Sequence, residues 1–313
     1  MLYLTEDLLT SVKLRSMVPI SQSTFQDADL IQLANEELQL KLVADIMGER
    51  ENFFLATESK SVYANMDTYP MPSRAIGNAL KVVWYVDGQG NKKKLQLKDI
   101  DQLGDYSILG GAIPDGYYIQ GDSIVLMSPP NTTGGFIRFD FYARPNKLVP
   151  TANCAKITSS SASAPNTVFN VDTDLTAALS VGSLVDVVSM ASPFLLWGYK
   201  VPVVAITSSQ ITVASAGVSD QNSAVEPVAG DYICPSGQAN IAQVPQEFHP
   251  VLAQMVANRL LWGLGHMDKF QSGIQTLKED RENALKLIKN RVEATPERVN
   301  TRSGIVSAFT RRF

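Results

Sequence analysis

The stretch Val244-Pro-Gln-Glu-Phe-His-Pro-Val-Leu-Ala-Gln-Met-Val256 decides how this chain is put together. Pro245 suits the first turn of a helix. Phe248, Leu252, Met255, Val256, Leu260 and Leu264 then form an apolar stripe at helical steps, ending at Gly263 or Gly265. A second helix carries Phe270, Ile274, Leu277, Leu285, Ile288 and Val292, with Lys278–Glu282 and Glu282–Lys286 pairs one turn apart, until Pro296 stops it. Helical texture thus returns at residue 245 after a long absence.

Its counterpart lies at the other end. Thr5 is placed to cap a helix opened by Glu6 and Asp7 and lined by Leu8, Leu9, Val12 and Met17. Ile31, Ala34, Leu38, Leu42 and Ile46 recur at steps of three and four in a second helix that Gly48 would stop. Two helical ends this short do not make two domains; the economical arrangement packs them on each other.

Between them the period is two. Val82 to Val86 predicts a strand, Asp87-Gly-Gln-Gly-Asn91 a turn, and Lys94 to Lys98 the return. Tyr117 to Gln120 and Ser123 to Met127 read as a second hairpin. From Phe136 to Tyr142, Ile137, Phe139 and Phe141 alternate with polar and outward positions. Trp84 and Tyr85 are expected on opposite faces of their strand, as core rather than as a base-stacking platform.

Residues 148–240 differ again. Short β-runs separated by Ser, Gly and Asn turns predict a small barrel or sandwich. The run Ser159 to Ser163 reads as a loop within it. Only Lys156 and Lys200 are basic here against six acidic residues, so this block carries the whole net charge of −4. The expected architecture is α+β: a bundle of N- and C-terminal helices, projecting β-hairpins and an inserted β-barrel or sandwich. Its segments are 1–147, 148–240, 241–295 and a tail, 296–313.

The 313 residues are 45% apolar and 19% charged, with 27 Lys and Arg against 31 Asp and Glu. That balance opposes a protein built to grip nucleic acid, whose affinity comes from neutralising phosphates. No run of about 20 apolar residues offers a membrane helix. Met1 to Leu14 mixes Glu6, Asp7 and Lys13 with leucines and predicts no secretory leader. Cys154 and Cys234, near the two necks of the inserted block, are expected as neighbours left unbridged by a reducing compartment.

Catalytic patterns are missing. His249 and His266 have no metal-ligand spacing around them and read as ordinary solvated sites. No Gly-x-Ser-x-Gly elbow occurs. The glycines near 88, 110 and 134 read as turns, and Glu279-Asp280-Glu282 as a solvated helix face. Lys92-Lys93-Lys94 reads as a solvated hairpin end. No catalytic residue, cofactor or metal is expected.

Two stretches invite a partner. Phe194, Leu195, Trp197 and Tyr199, framed by Pro193 and Gly198, form an apolar loop expected to bury itself against another subunit or a tail component. The tail offers Arg298, Arg302, Arg311 and Arg312 with Ile305, Val306, Phe309 and Phe313 as anchors.

Four segments together resemble a known family: Asp29-Leu-Ile-Gln-Leu-Ala-Asn-Glu-Glu-Leu38, Pro114-Asp-Gly-Tyr-Tyr-Ile-Gln-Gly-Asp-Ser-Ile-Val-Leu126, Phe139-Asp-Phe-Tyr-Ala-Arg-Pro145 and Val244-Pro-Gln-Glu-Phe-His-Pro250. The chain resembles the head-to-tail connector, or adaptor, proteins of tailed bacteriophages over roughly residues 25–145 and 244–313; residues 148–240 match nothing familiar. The resemblance implies a structural virion protein at the head–tail junction, assembled in the host cytoplasm. It implies a ring of commonly twelve copies under the portal protein, with a tail or nozzle protein on the opposite face. The C-terminal tail would reach the portal, and DNA would pass through without sequence-specific binding. A tail-associated cell-wall hydrolase and a glycan-binding decoration protein are the alternatives.

Overall fold

The computed structural model describes residues 3–17, 25–99, 101, 113–163, 165–191, 196–214 and 227–289. Helices stand at both ends of the described chain. They are α1 (Thr5–Ser16), α2 (Asp27–Glu37), α3 (Val43–Glu49), α4 (His249–Gly263) and α5 (Met267–Ile288). A single π-helical turn, Leu38–Leu42, joins α2 to α3. The carboxylates of Asp7 and Asp29 accept the backbone N–H groups of Leu4 and Gln26, closing the starts of α1 and α2. Thr5 is therefore not the cap of α1. It is buried, and its hydroxyl donates to the carbonyls of Val149 and Asn240 at 2.8 and 3.0 Å.

α4 is apolar on nearly every face from Val251 to Ala257, which is the pattern of a helix enclosed by others. α1, α2 and α5 surround it. Leu9 and Val12 of α1, Leu30 and Ala34 of α2, Ile46 of α3, and Ala284 and Ile288 of α5 share one core with Phe248, Leu252 and Val256. The two ends of the chain thus make one bundle, as their periodicity implies.

The first β region is a seven-stranded sheet. Its strands are β1 (Leu55–Ser61), β2 (Thr68–Pro70), β3 (Ala75–Val86), β4 (Lys92–Leu97), β5 (Gly116–Gln120), β6 (Ser123–Leu126) and β7 (Phe136–Ala143). They run in the order β1-β7-β3-β4-β5-β6-β2, antiparallel except for β4 beside β5. Ile137, Phe139 and Phe141 face the core while Arg138 and Asp140 face out. Tyr85 is buried; Trp84 lies on the opposite face, its indole N–H donating to Asp140. At Gly135 (φ +78°) a Cβ would stand 2.1 Å from the carbonyl oxygen of Val86, so only glycine lets β7 begin there.

β8 (Lys147–Leu148) leaves the sheet and pairs in parallel with β15 (Gln238–Ala239), so the outgoing and returning chains lie side by side. Between them β9 (Ala155–Ser163), β10 (Asn166–Val171), β11 (Leu184–Val188), β12 (Leu196–Ile206), β13 (Gln210–Ala214) and β14 (Tyr232–Pro235) close a six-stranded barrel. Ile157, Phe169, Val187, Val203, Ile211 and Ile233 fill it. The run Ser159–Ser163, expected as a loop, is the second half of β9. Its backbone is paired with β10 throughout, and pairing outweighs the weak strand propensity of serine.

Cys154 and Cys234 are neighbours, with Cα atoms 4.5 Å apart, but they form a disulfide rather than two free thiols. The structure shows the pair bridged, where an unbridged pair was expected. Tertiary structure sets them opposite each other, within the separation a disulfide can span.

Candidate functional site

Where bundle, sheet and barrel meet, one carboxylate ties the sheet to the barrel. Asp186 of β11 is fully buried. It accepts from Asn146 Nδ2 at 2.9 Å, Ser236 Oγ at 3.1 Å, the N–H groups of Gly237 and Lys200 at 2.9 Å each, and Arg74 Nη1 at 3.3 Å. Arg74 comes from the loop before β3 and also grips the carbonyl of Arg144 through Nη2 at 2.6 Å. Burial pulls the Arg74 guanidinium below its ordinary pKa, opposed by the adjacent Asp186 and Tyr199. Asn146 adds a bond to the carbonyl of Gln238, and its N–H meets Gln243 Oε1 at 2.8 Å. From the bundle, the Asn35 amide brackets the backbone of Leu148 at 2.7 and 3.0 Å. This neck is built to hold the barrel at one angle to the bundle.

His249 belongs to the same region and corrects the expectation of a solvated histidine. It is 1% exposed, edge-on to Tyr3 at 5.9 Å, with Nε2 3.0 Å from the carbonyl oxygen of Ala242. Burial pushes its pKa down to about 4, so at neutral pH it is an uncharged structural group.

On the far flank of α4 the bundle is open. A groove of about 940 Å³ runs between the α2–α3 rod and α5. Met255 and Trp262 form its floor, Leu40 and Ala44 one wall, Ile274 and Leu277 the other. Leu40 is 74% exposed, Trp262 59% and Ile274 45%. Of the charges at its rim, Lys278 is exposed and in no ion pair among the described residues, and the others are matched among themselves. Arg259 reaches Glu37 at 2.7 Å and Glu36 at 3.2 Å, Lys41 reaches Glu37 at 2.7 Å, and Arg281 pairs with Asp45. The bond to Glu37 raises the pKa of Arg259. What the groove presents outward is apolar, with Lys278 as an unpaired cation on its α5 wall.

The sequence-predicted partner residues separate. Phe194 and Leu195 lie outside the described residues, as does the whole tail: Arg298, Arg302, Ile305, Val306, Phe309, Arg311, Arg312 and Phe313. Trp197 and Tyr199 are not loop residues; both are in β12, and only the backbone of Trp197 is described. Tyr199 is half-buried within its own chain, its ring 5.1 Å from the Arg74 guanidinium.

The groove and the neck escaped sequence reasoning, although signals existed. Leu40 falls off the Leu38–Leu42–Ile46 stripe, and Asp186 interrupts an apolar strand. Among the described residues no group of three His, Cys, Asp or Glu side chains is placed to hold a metal, and no helix is long and apolar enough to cross a membrane.

The family of the SU10 adaptor protein matches residues 6–180, more than half of the chain. The chain belongs to this family. It is a bacteriophage structural adaptor and a virion component. No curated protein matches it. The matched stretch runs from α1 through the sheet and into the barrel, ending between β10 and β11.

Proposed function

We propose that this adaptor works as a ring at the head–tail junction, joining the portal protein to tail components and surrounding the path of the DNA. The observation that carries the ring is the groove on the bundle. Leu40, Trp262 and Ile274 stay partly in water in the single chain, and each forgoes a fraction, set by its exposure, of the roughly 1.5–3 kcal/mol that full burial gives. Because the rim charges other than Lys278 are already paired, the natural occupant is a mainly apolar flank of a second copy. The family's role as an adaptor supports the same arrangement.

The tail, residues 296–313, serves as the portal-docking segment in this reading. Its four arginines suit acidic portal groups, and Phe309 and Phe313 suit apolar grooves. A net charge of −4 per chain favours a passage over a clamp, since attraction to phosphate would retard DNA. A hydrolase reading finds no support at the most enclosed carboxylate: the oxygens of Asp186 are taken up by five donors within the neck.

Deleting residues 296–313 tests the docking role. The truncated adaptor should remain folded and soluble yet fail to join portal-containing heads, which would fill and then leak. Undiminished binding to portals would overturn it.

A further inference from the structure

Cys154 immediately precedes β9, and Cys234 sits in β14. The antiparallel ladder between these strands pairs Tyr232 with Lys156 and Ile233 with Ala155, so the next rung is Cys234 opposite Cys154. That ladder has two residue pairs, the fewest in the barrel, whose other seams have three to six; past it Ile157 adds backbone bonds to the Asp231 carbonyl and the Gly230 N–H at 2.7 and 2.8 Å. The seam joins the first and last strands of the barrel, 80 residues apart at the cysteines. Both cysteines are buried, among Val188, Tyr232, Ala239 and Ile241.

We infer that the Cys154–Cys234 disulfide is an oxidation-triggered clamp on this seam, open as two thiols in the cell that makes the chain and closed after exposure to an oxidising medium. The inference rests on the chain being a virion component, because such a protein meets both environments: reducing at synthesis, oxidising after release. A low-molecular-weight disulfide such as oxidised glutathione supplies the chemistry. One cysteine thiolate attacks it and releases the first glutathione thiol. The other cysteine then displaces the second, forming the Sγ–Sγ bond, and the two protons end on the released thiols. Since neither sulfur is exposed, each exchange needs the seam to open. Closure is therefore slow, and once made it is retained. The barrel is assembled with a loose seam and delivered with a fixed one.

The test uses the full chain made in a reducing cytosol and alkylated under denaturing conditions at lysis. Two modified cysteines are expected. After incubation with oxidised glutathione, none should be modified, and the mass should be two hydrogens below the dithiol form with no glutathione attached. Amide hydrogen exchange at Ala155–Ile157 and Tyr232–Cys234 should then slow by roughly tenfold or more relative to the reduced chain, with the bundle amides unchanged. Cys154→Ser/Cys234→Ser should exchange like the reduced chain; if that variant does not fold, the oxidised and reduced wild-type forms still make the comparison. A bond already present at lysis, a stable glutathione adduct, or equal exchange in both forms would overturn the clamp. None of these results would touch the family assignment or the ring.

Discussion

The bundle and the barrel bury their apolar side chains under different constraints. The barrel closes on itself, so its strands have no free edge; Phe169, Val203 and Ile211 are enclosed, and the apolar groups exposed among its described residues, Val181, Leu184, Val204 and Val228, are small. The bundle encloses α4 with α1, α2 and α5 but leaves the α2–α3/α5 flank open, with Trp262 and Leu40 in water. One region is finished alone and the other awaits contact. A protein that works by assembling should show this division, with its association surface on the unfinished part.

The largest effects test whether the two cores are independent. Phe248 and Phe169 are both fully buried, one in each. Truncating either to alanine should cost about 3–5 kcal/mol, the transfer loss plus a cavity. In calorimetry of the intact chain, Phe169→Ala should lower the melting of the barrel and leave the bundle transition in place, and Phe248→Ala should do the reverse. A single transition that shifts in both variants would break the comparison. Asp186→Ala tests the joint between them. It leaves Arg74 buried without its carboxylate and should cost about 3 kcal/mol, the lower end for a broken buried pair, since Arg74 keeps the Arg144 carbonyl. Small-angle scattering should show the barrel swinging relative to the bundle in that variant.

The bundle was legible in the sequence because its information is local and periodic. Leu30, Ile31, Ala34, Leu38, Leu42 and Ile46 write a stripe that needs no knowledge of the partner helix. Alternation in β7 was equally plain, and with it the α+β architecture. Much of what could not be read depended on partners far away in the sequence. Arg74 and Asp186 are 112 apart, and nothing in either neighbourhood announces the other. His249 looked solvated because it stands in a first helical turn; it is buried because Tyr3, at the opposite end of the chain, covers it. The cysteines were legible as neighbours, but their bonding depends on a register that only the β9–β14 ladder reveals. Trp197 and Tyr199 were misplaced in a loop because Pro193 and Gly198 look like loop punctuation, while β12 runs on past Gly198, which pairs with Val187 between two register shifts.

A smaller effect belongs to His249 and sharpens the contrast through pH. Its folded pKa is about 4, against roughly 6.5 for an unperturbed imidazole. Between those values the unfolded chain binds the extra proton and the folded chain does not. The stability associated with the neutral ring is therefore whole above pH 6.5 and declines as pH falls toward 4, by about 2 kcal/mol at pH 5. Urea unfolding at pH 7 and pH 5 should show this decline in the bundle transition. His249→Asn should flatten it, whatever it does to the stability at pH 7; an unchanged slope would remove the buried histidine as its cause.

The smallest effect on the single chain carries the most weight for the ring. Trp262 is more than half exposed, and it contributes to the groove rather than to the closed part of the core. Trp262→Asp should cost the monomer about 1 kcal/mol, from the lost partial burial and from a carboxylate in the last turn of α4, well below a core truncation. In the assembly the same substitution places a carboxylate on an apolar contact whose neighbouring arginines are already held: Arg259 by Glu36 and Glu37, Arg281 by Asp45. Lys278 also lines the groove and offsets part of the burial cost of the new charge, so the remainder weakens association. Sedimentation should then show monomers at concentrations where the parent chain associates. An equivalent charge on the barrel, Val204→Asp on an exposed strand position, should leave association intact. If the barrel variant dissociates the oligomer while Trp262→Asp does not, the association surface lies on the closed region, and the contrast between a finished barrel and an unfinished bundle has been drawn the wrong way round.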